Sequence, residues 1–303
     1  MAGRRHLRET GVARRVVHFL LHVPKCAGTT VEEHFERHLG PGFLRAPRWE
    51  SPLRDVMGNR YPYAPGDPRL DGVRVVSGHS LSVSLMRAFA GAEIRESVLL
   101  RDPVGYHLSL YNYRWARHEE GFGPPPPAFG RWYRAQRRNP VSRFLLARYF
   151  EQGVPALYRL SSAGRLAFLE ARLARFHFVG DYRRARELIA GVSRELGIEA
   201  AVEDRNVTRE RRMTAESLGA EWVARIERDH ALDAALHARW ADRGRADAAS
   251  RGAGLPGGST PGQAARAAGG AARSPRRPAL PALDQGRYLA GDLVTGIAKK
   301  LIR

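Results

Sequence analysis

The chain has 303 residues, 43% of them hydrophobic, enough to bury a full core, and 50 Lys and Arg against 31 Asp and Glu give it a formal net charge of +19. Its single cysteine, Cys26, excludes an intramolecular disulfide framework, and no run approaches the roughly 20 apolar residues of a membrane-spanning helix. The positive excess favours anionic partners; only Lys25, Lys299 and Lys300 are lysines, so 47 of the 50 cations are arginines.

Arginines at 4, 5, 8, 14 and 15 precede the apolar run VVHFLLHV, an arrangement that imitates a signal peptide. The run is only eight residues long, contains His18 and His22, and leads to PKC instead of a small-residue cleavage site, so the expectation is a cytoplasmic protein. The arginine, alanine and glycine bias is that of a GC-rich bacterial coding sequence. Short β-branched runs at 16–23, 73–77, 96–101 and 176–180 alternate with amphipathic stretches, which predicts an α/β domain with a central, mostly parallel sheet flanked by helices.

After the first strand, Thr30 and Glu33 predict a capping box, with Val31, Phe35 and Leu39 on one helix face. Residues 40–72 hold six prolines and predict a long loop. After the third strand, Asp102 is the expected cap of a helix with Pro103 in its first turn and Val104, Leu108, Tyr111 and Trp115 along its buried face. Residues 118–140, with GFGPPPP, predict a second loop, and 183–196 and 214–243 predict helices, the latter burying Leu218, Trp222, Ile226 and Leu236. The folded domain is expected to span 1–243. Residues 244–284 are alanine, glycine, arginine and proline without periodicity and predict disorder, and 285–303 regain Leu289, Leu293, Ile297 and Leu301 at the spacing of a short amphipathic helix suited to an acidic membrane surface.

The stretch PKCAGTT, Pro24 to Thr30, follows a strand and precedes a helix, so its backbone N–H groups and the positive end of the helix dipole suit an anion. It is not a Walker A loop, which needs an earlier glycine and puts lysine directly before the hydroxyl residue. In a body that otherwise writes its cations as arginine, Lys25 points to a need for a compact ammonium.

HVPKCAGTT resembles the 5'-phosphosulfate loop of the carbohydrate sulfotransferase superfamily, whose donor is 3'-phosphoadenosine 5'-phosphosulfate (PAPS). LLRDPVGYHLSLYNYR is similar to the 3'-phosphate motif of that family, with Arg101, Pro103 and Ser109 at the matching places. SGHS, 77–80, resembles the glycine-histidine pair that carries the catalytic base in uronosyl 2-O-sulfotransferases, and RNVTRERR, 205–212, resembles a late basic loop that covers the nucleotide. The matches reach from about residue 15 to 212.

The resemblance implies a P-loop-like three-layer domain and a sulfotransferase that moves a sulfuryl group from PAPS to a hydroxyl of a carbohydrate or other small metabolite, without a metal. It implies that Lys25 neutralises the leaving 5'-phosphate beside Pro24, Cys26, Ala27, Gly28, Thr29 and Thr30, and that Arg101 and Ser109 bind the 3'-phosphate. It further implies that Asn206 and Arg212 cover the nucleotide and that His79 is the base, with His22 shaping the turn. An ATP-dependent kinase and a non-enzymatic polyanion- or nucleic-acid-binding protein are the alternatives; against the first, the strand ends SGHS, LRDP and VGDY offer no acidic magnesium motif, and against the second, no nucleic-acid-binding motif is present.

Overall fold

Strand β1, Val16–Leu21, is the sheet's hub, because its β-branched and aromatic run is apolar enough to be covered on both faces. The computed structural model describes residues 14–47, 60–152, 159–201 and 212–245, all within one compact unit, Met1–Ala246. Helix α1, Gly28–Leu39, follows β1, and β2, Phe43–Arg45, β3, Val75–Gly78, and β4, Glu93–Leu100, come next. Then follow α2, Pro103–Glu119, α3, Phe129–Arg134, and α4, Pro140–Arg143, which runs on as a π-helical turn over Phe144–Tyr149. Helix α5, Ser162–Leu173, β5, Phe178–Asp181, and α6, Ala185–Leu196, precede the short helices α7, Ala215–Leu218, α8, Ala220–Asp229, and α9, Ala231–Trp240, and the two-residue strand β6, Gly244–Arg245.

The strand order is β2-β3-β1-β4-β5-β6, with the first five parallel and β6 antiparallel to β5. β1 pairs with β3 through His18 and Val75 and with β4 through Val16 and Glu93. The chain leaves β1 toward β2 and leaves β4 toward β5, so its connections diverge at the carboxyl ends of these neighbours, where open α/β sheets hold ligands.

Helix α1 is fastened to α6, with His34 Nε2 3.0 Å from Ser193 Oγ. Asp233 of α9 caps α4, accepting from Val141 N at 2.9 Å and Ser142 N at 2.8 Å. The main core lies about the sheet; a second apolar cluster joins Val104, Leu108 and Tyr111 of α2 to Phe129, Trp132 and Tyr133 of α3 and to Ile226 of α8. At roughly 1.5 to 3 kcal/mol for each fully buried large side chain, this cluster anchors α2 firmly and fixes which residues it turns toward the strand ends.

All four expected strands are present, and Asp102 caps α2 as expected, accepting from Gly105 N at 2.6 Å. Four expectations are corrected. Helix α1 begins at Gly28 behind Ala27, with no capping side chain, so Thr30 lies in its first turn and forms no box with Glu33. The helix expected over 214–243 is three pieces, broken at Gly219, whose φ is 86°, and at His230, and Trp222 is half-buried. The two expected loops carry β2 and α3 respectively. Of the disorder expected over 244–284, Gly244 and Arg245 instead form β6 against β5, and the rest of that stretch and the helix expected over 285–303 lie outside the described residues. No helix among the described residues is long and apolar enough to cross a membrane.

Candidate functional site

Four parallel strands end at one edge of the sheet, and each hands over directly to a residue of one cavity. His22, Pro24 and Lys25 follow β1, His79 follows β3, Arg101 follows β4 and Tyr182 follows β5. The cavity measures about 1120 Å³ and is also lined by Gly28, Thr29 and Thr30 of α1, Gly105, Ser109 and Tyr113 of α2, and Arg183, Arg186 and Glu216. Among the described residues the cations on its wall are Lys25, Arg101, Arg183 and Arg186 and the carboxylates are Glu216 and Asp102, and Asp102 is occupied as the α2 cap.

The turn after β1 is strained. Lys25 and Ala27 have φ values of 64° and 62°, left-handed backbone that costs a non-glycine residue of order 1–3 kcal/mol. Between them Cys26 points into the core, 2% exposed, and burial pushes its thiol pKa well up, so no thiolate nucleophile forms. Its N–H donates to Val23 O at 3.2 Å; the expectation that Cys26 contributes to the anion cradle is therefore corrected, and its part is to lock the turn. No side chain caps α1, and Gly28 and Thr29 of its first turn line the cavity at the positive end of the helix dipole.

Lys25 is half-buried, its Nζ 4.0 Å from the centroid of the Tyr113 ring. Burial, followed by the charge of Arg101, lowers its pKa from the ordinary 10.5 to about 8, leaving it charged at neutral pH but poorly solvated. Arg101 crosses from β4 to the turn: Nη1 donates to Lys25 O at 3.0 Å and the guanidinium lies 3.9 Å from the centroid of the Tyr182 ring. The buried Arg101 Nε has no hydrogen-bond partner among the described residues. A Cβ at position 105 would fall 2.6 Å from Asp102 Oδ2 and 3.1 Å from Arg101 Nε, so Gly105 is what allows cap and guanidinium to coexist.

His79 opens to the cavity and stands over His22, with ring centroids 3.8 Å apart. Its Nδ1 lies 2.9 Å from the backbone oxygen of His22, and a carbonyl only accepts, so Nδ1 carries the proton and Nε2 keeps its lone pair. Partial desolvation of the ring, and then the neighbouring His22, lower the pKa of His79 below 6.5 and favour the neutral imidazole.

The structure thus gathers Pro24, Lys25, Ala27, Gly28, Thr29, Thr30, His22, His79, Arg101 and Ser109 around one space, although the two motifs lie 76 residues apart at Lys25 and Arg101. It does not bring Arg212 there: that guanidinium pairs with Glu119 Oε1, Nε at 2.7 Å, and lies 4.6 Å from the centroid of Trp115, which corrects its expected place. Asn206 lies outside the described residues. Tyr113, Tyr182, Arg183 and Arg186 were not anticipated. Tyr113 sits four residues after Ser109, on the same side of a helix, and Tyr182 follows a strand end, so spacing signals existed for both.

The fold and cavity define an α/β protein with a cationic site at the carboxyl edge of a parallel sheet. Comparison with protein-family models, with curated proteins and with solved structures finds no match.

Proposed function

We propose that the protein is a sulfotransferase with a P-loop-like nucleotide site, taking its sulfuryl group from PAPS and passing it to a hydroxyl of a carbohydrate or other small metabolite. One observation carries the reading: the residues of the 5'-phosphosulfate-like turn and of the 3'-phosphate-like motif meet in the cavity, joined by the bond from Arg101 to the backbone oxygen of Lys25. The charge balance of the wall suits a ligand with two phosphate groups, and about 1120 Å³ exceeds the roughly 300–1,000 Å³ of a site for one small ligand, leaving room for an acceptor beside the nucleotide.

In this reading the acceptor oxygen forms a new bond to sulfur as the bond from sulfur to the 5'-phosphate oxygen breaks, and 3',5'-ADP leaves. The hydroxyl proton passes to Nε2 of His79. The charge released on the 5'-phosphate is met by the Lys25 ammonium and by the N–H groups of the first turn of α1; such preorganised charge contributes most where charge develops in a loose in-line transfer. Lys25 suits the task because an incompletely solvated ammonium gains when an anion arrives.

The test is the release of 3',5'-ADP from PAPS, followed by chromatography with a simple sugar as acceptor, for the wild type and Lys25→Met. Loss of release in the variant is expected; equal release from both proteins would refute the assignment.

A further inference from the structure

Behind the cavity wall lies a buried carboxylate that the proposed reaction does not use. Glu32, in the second turn of α1, is 3% exposed. Its Oε1 stands 2.7 Å from His22 Nδ1 and 3.1 Å from Ser77 Oγ, and its Oε2 accepts from Arg45 Nη1 at 2.6 Å. Burial alone would raise its pKa, but the close approach of His22, the Arg45 guanidinium and the Ser77 hydroxyl outweigh it and hold it below the ordinary carboxylate value. A buried charge is tolerated only with partners of this kind.

The His22 ring has no freedom to drift. On one side a Cβ at position 28 would fall 2.0 Å from its Cδ2, so Gly28 is flush against the ring; on another the His79 ring leans over it at 3.8 Å. The Glu32 carboxylate closes a third side, with Oε1 2.7 Å from the ring's Nδ1. His22 in turn holds His79 twice, by ring contact and by accepting the Nδ1 proton of His79 on its carbonyl oxygen.

We propose that Glu32 is a positioning residue for His79: the Glu32 carboxylate fixes the His22 imidazole, and His22 fixes the ring and tautomer of His79, leaving Nε2 as the acceptor that faces the cavity. The proposal rests on the sulfotransferase reading for the meaning of that acceptor. When Nε2 takes the hydroxyl proton, an imidazolium forms beside His22, and the negative charge of Glu32 one ring away offsets it. The charged and titratable groups that act on His79 are His22 from the end of β1, Glu32 from α1 and Arg148 from the π-helical turn; Glu32 and the bond to the His22 carbonyl favour the imidazolium, and the His22 ring and Arg148 oppose it. Serine proteases use a carboxylate to fix an imidazole tautomer directly; here the carboxylate would act through a second imidazole.

The experiment is nitrogen-15 NMR of the histidine rings in the full chain, for wild type, Glu32→Gln and Glu32→Asp, with 3',5'-ADP affinity measured on the same samples. Wild-type His79 is expected as the Nδ1-protonated tautomer. Glu32→Gln should mix its tautomers and move its titration to lower pH, with turnover down roughly tenfold, as when outer partners of a working imidazole are lost, and 3',5'-ADP affinity within about threefold. Glu32→Asp should restore part of the titration shift, which a merely structural carboxylate would not do. An Nε2-protonated His79 in the wild type, measurable even if both variants fail to fold, overturns the proposal. So does a Glu32→Gln spectrum in which only His22 moves. Intact coupling together with no preference for 3',5'-ADP would instead refute the sulfotransferase reading and leave the coupling standing.

Discussion

Replacing Lys25 by methionine should make the protein more stable while abolishing transfer. The ammonium is charged in both folded and unfolded chains at pH 7, but in the fold its pKa is lowered from 10.5 to about 8. At about 1.4 kcal/mol per pH unit that is a penalty of roughly 3.5 kcal/mol on the folded state. Two effects reduce what methionine recovers: cavity water reaches the half-buried lysine, and its contact with Tyr113 is lost. The expected gain is about 1 to 2 kcal/mol, or about 3 to 6 °C in Tm for a domain of this size. The left-handed backbone at position 25 is retained, so its strain does not enter the difference. Between pH 8 and 10.5 the unfolded chain holds a proton that the folded wild type has released, so wild-type stability rises with pH and the gap between the two proteins closes. Calorimetric melts across pH 7 to 10.5 are the assay. A variant no more stable than wild type at pH 7, or a gap that stays constant to pH 10.5, would refute the claim that Lys25 is held at a desolvated anion site.

Arg101→Ala should weaken 3',5'-ADP binding by about 1.5 to 3 kcal/mol, the range for a hydrogen bond to a charged group, with little change for 5'-AMP; equal losses in calorimetric titrations would make Arg101 a brace for the Lys25 turn and nothing more. Gly28→Ala drives a methyl to within 2.0 Å of the confined His22 ring and should destabilise the fold by about 1 to 3 kcal/mol, read from the denaturant midpoint, and weaken nucleotide binding. His79→Ala should lower kcat by about 10² to 10⁴ with nucleotide affinity unchanged; a variant with normal turnover would remove it from the base role.

What the residues announced and what they withheld follow from how far each signal reaches. β1 and β4 are legible because their β-branched runs must be covered on both faces, and the cap at Asp102 is legible because an aspartate before proline is a local signal. β2 is three residues long in a proline-rich segment, too short for any period to show. The stripe from Leu218 to Leu236 reads through Gly219 and His230 as one helix because a break in direction leaves the apolar spacing nearly intact. At the site, the parallel sheet explains why motifs far apart in sequence meet, and the turns after β1 and β4 that line the cavity could be found by pattern. Glu32 could not: Thr30 and Glu33 match a capping pattern, while the start of α1 at Gly28 turns the adjacent glutamate inward to His22. Tyr182 is signalled by its place after a strand end but its contact with Arg101 is not, and Arg212 depends on a distant partner, leaving for Glu119.

The central claim is that this cavity recognises a nucleotide phosphorylated at both 3' and 5' positions. Titration calorimetry of the full chain with 3',5'-ADP, 5'-AMP and ATP with magnesium tests it most directly. Arg101 and Ser109 should make 3',5'-ADP bind at least tenfold more tightly than 5'-AMP, and ATP with magnesium should bind no better than 5'-AMP. Equal affinity for the three, or a preference for ATP with magnesium, would contradict the account.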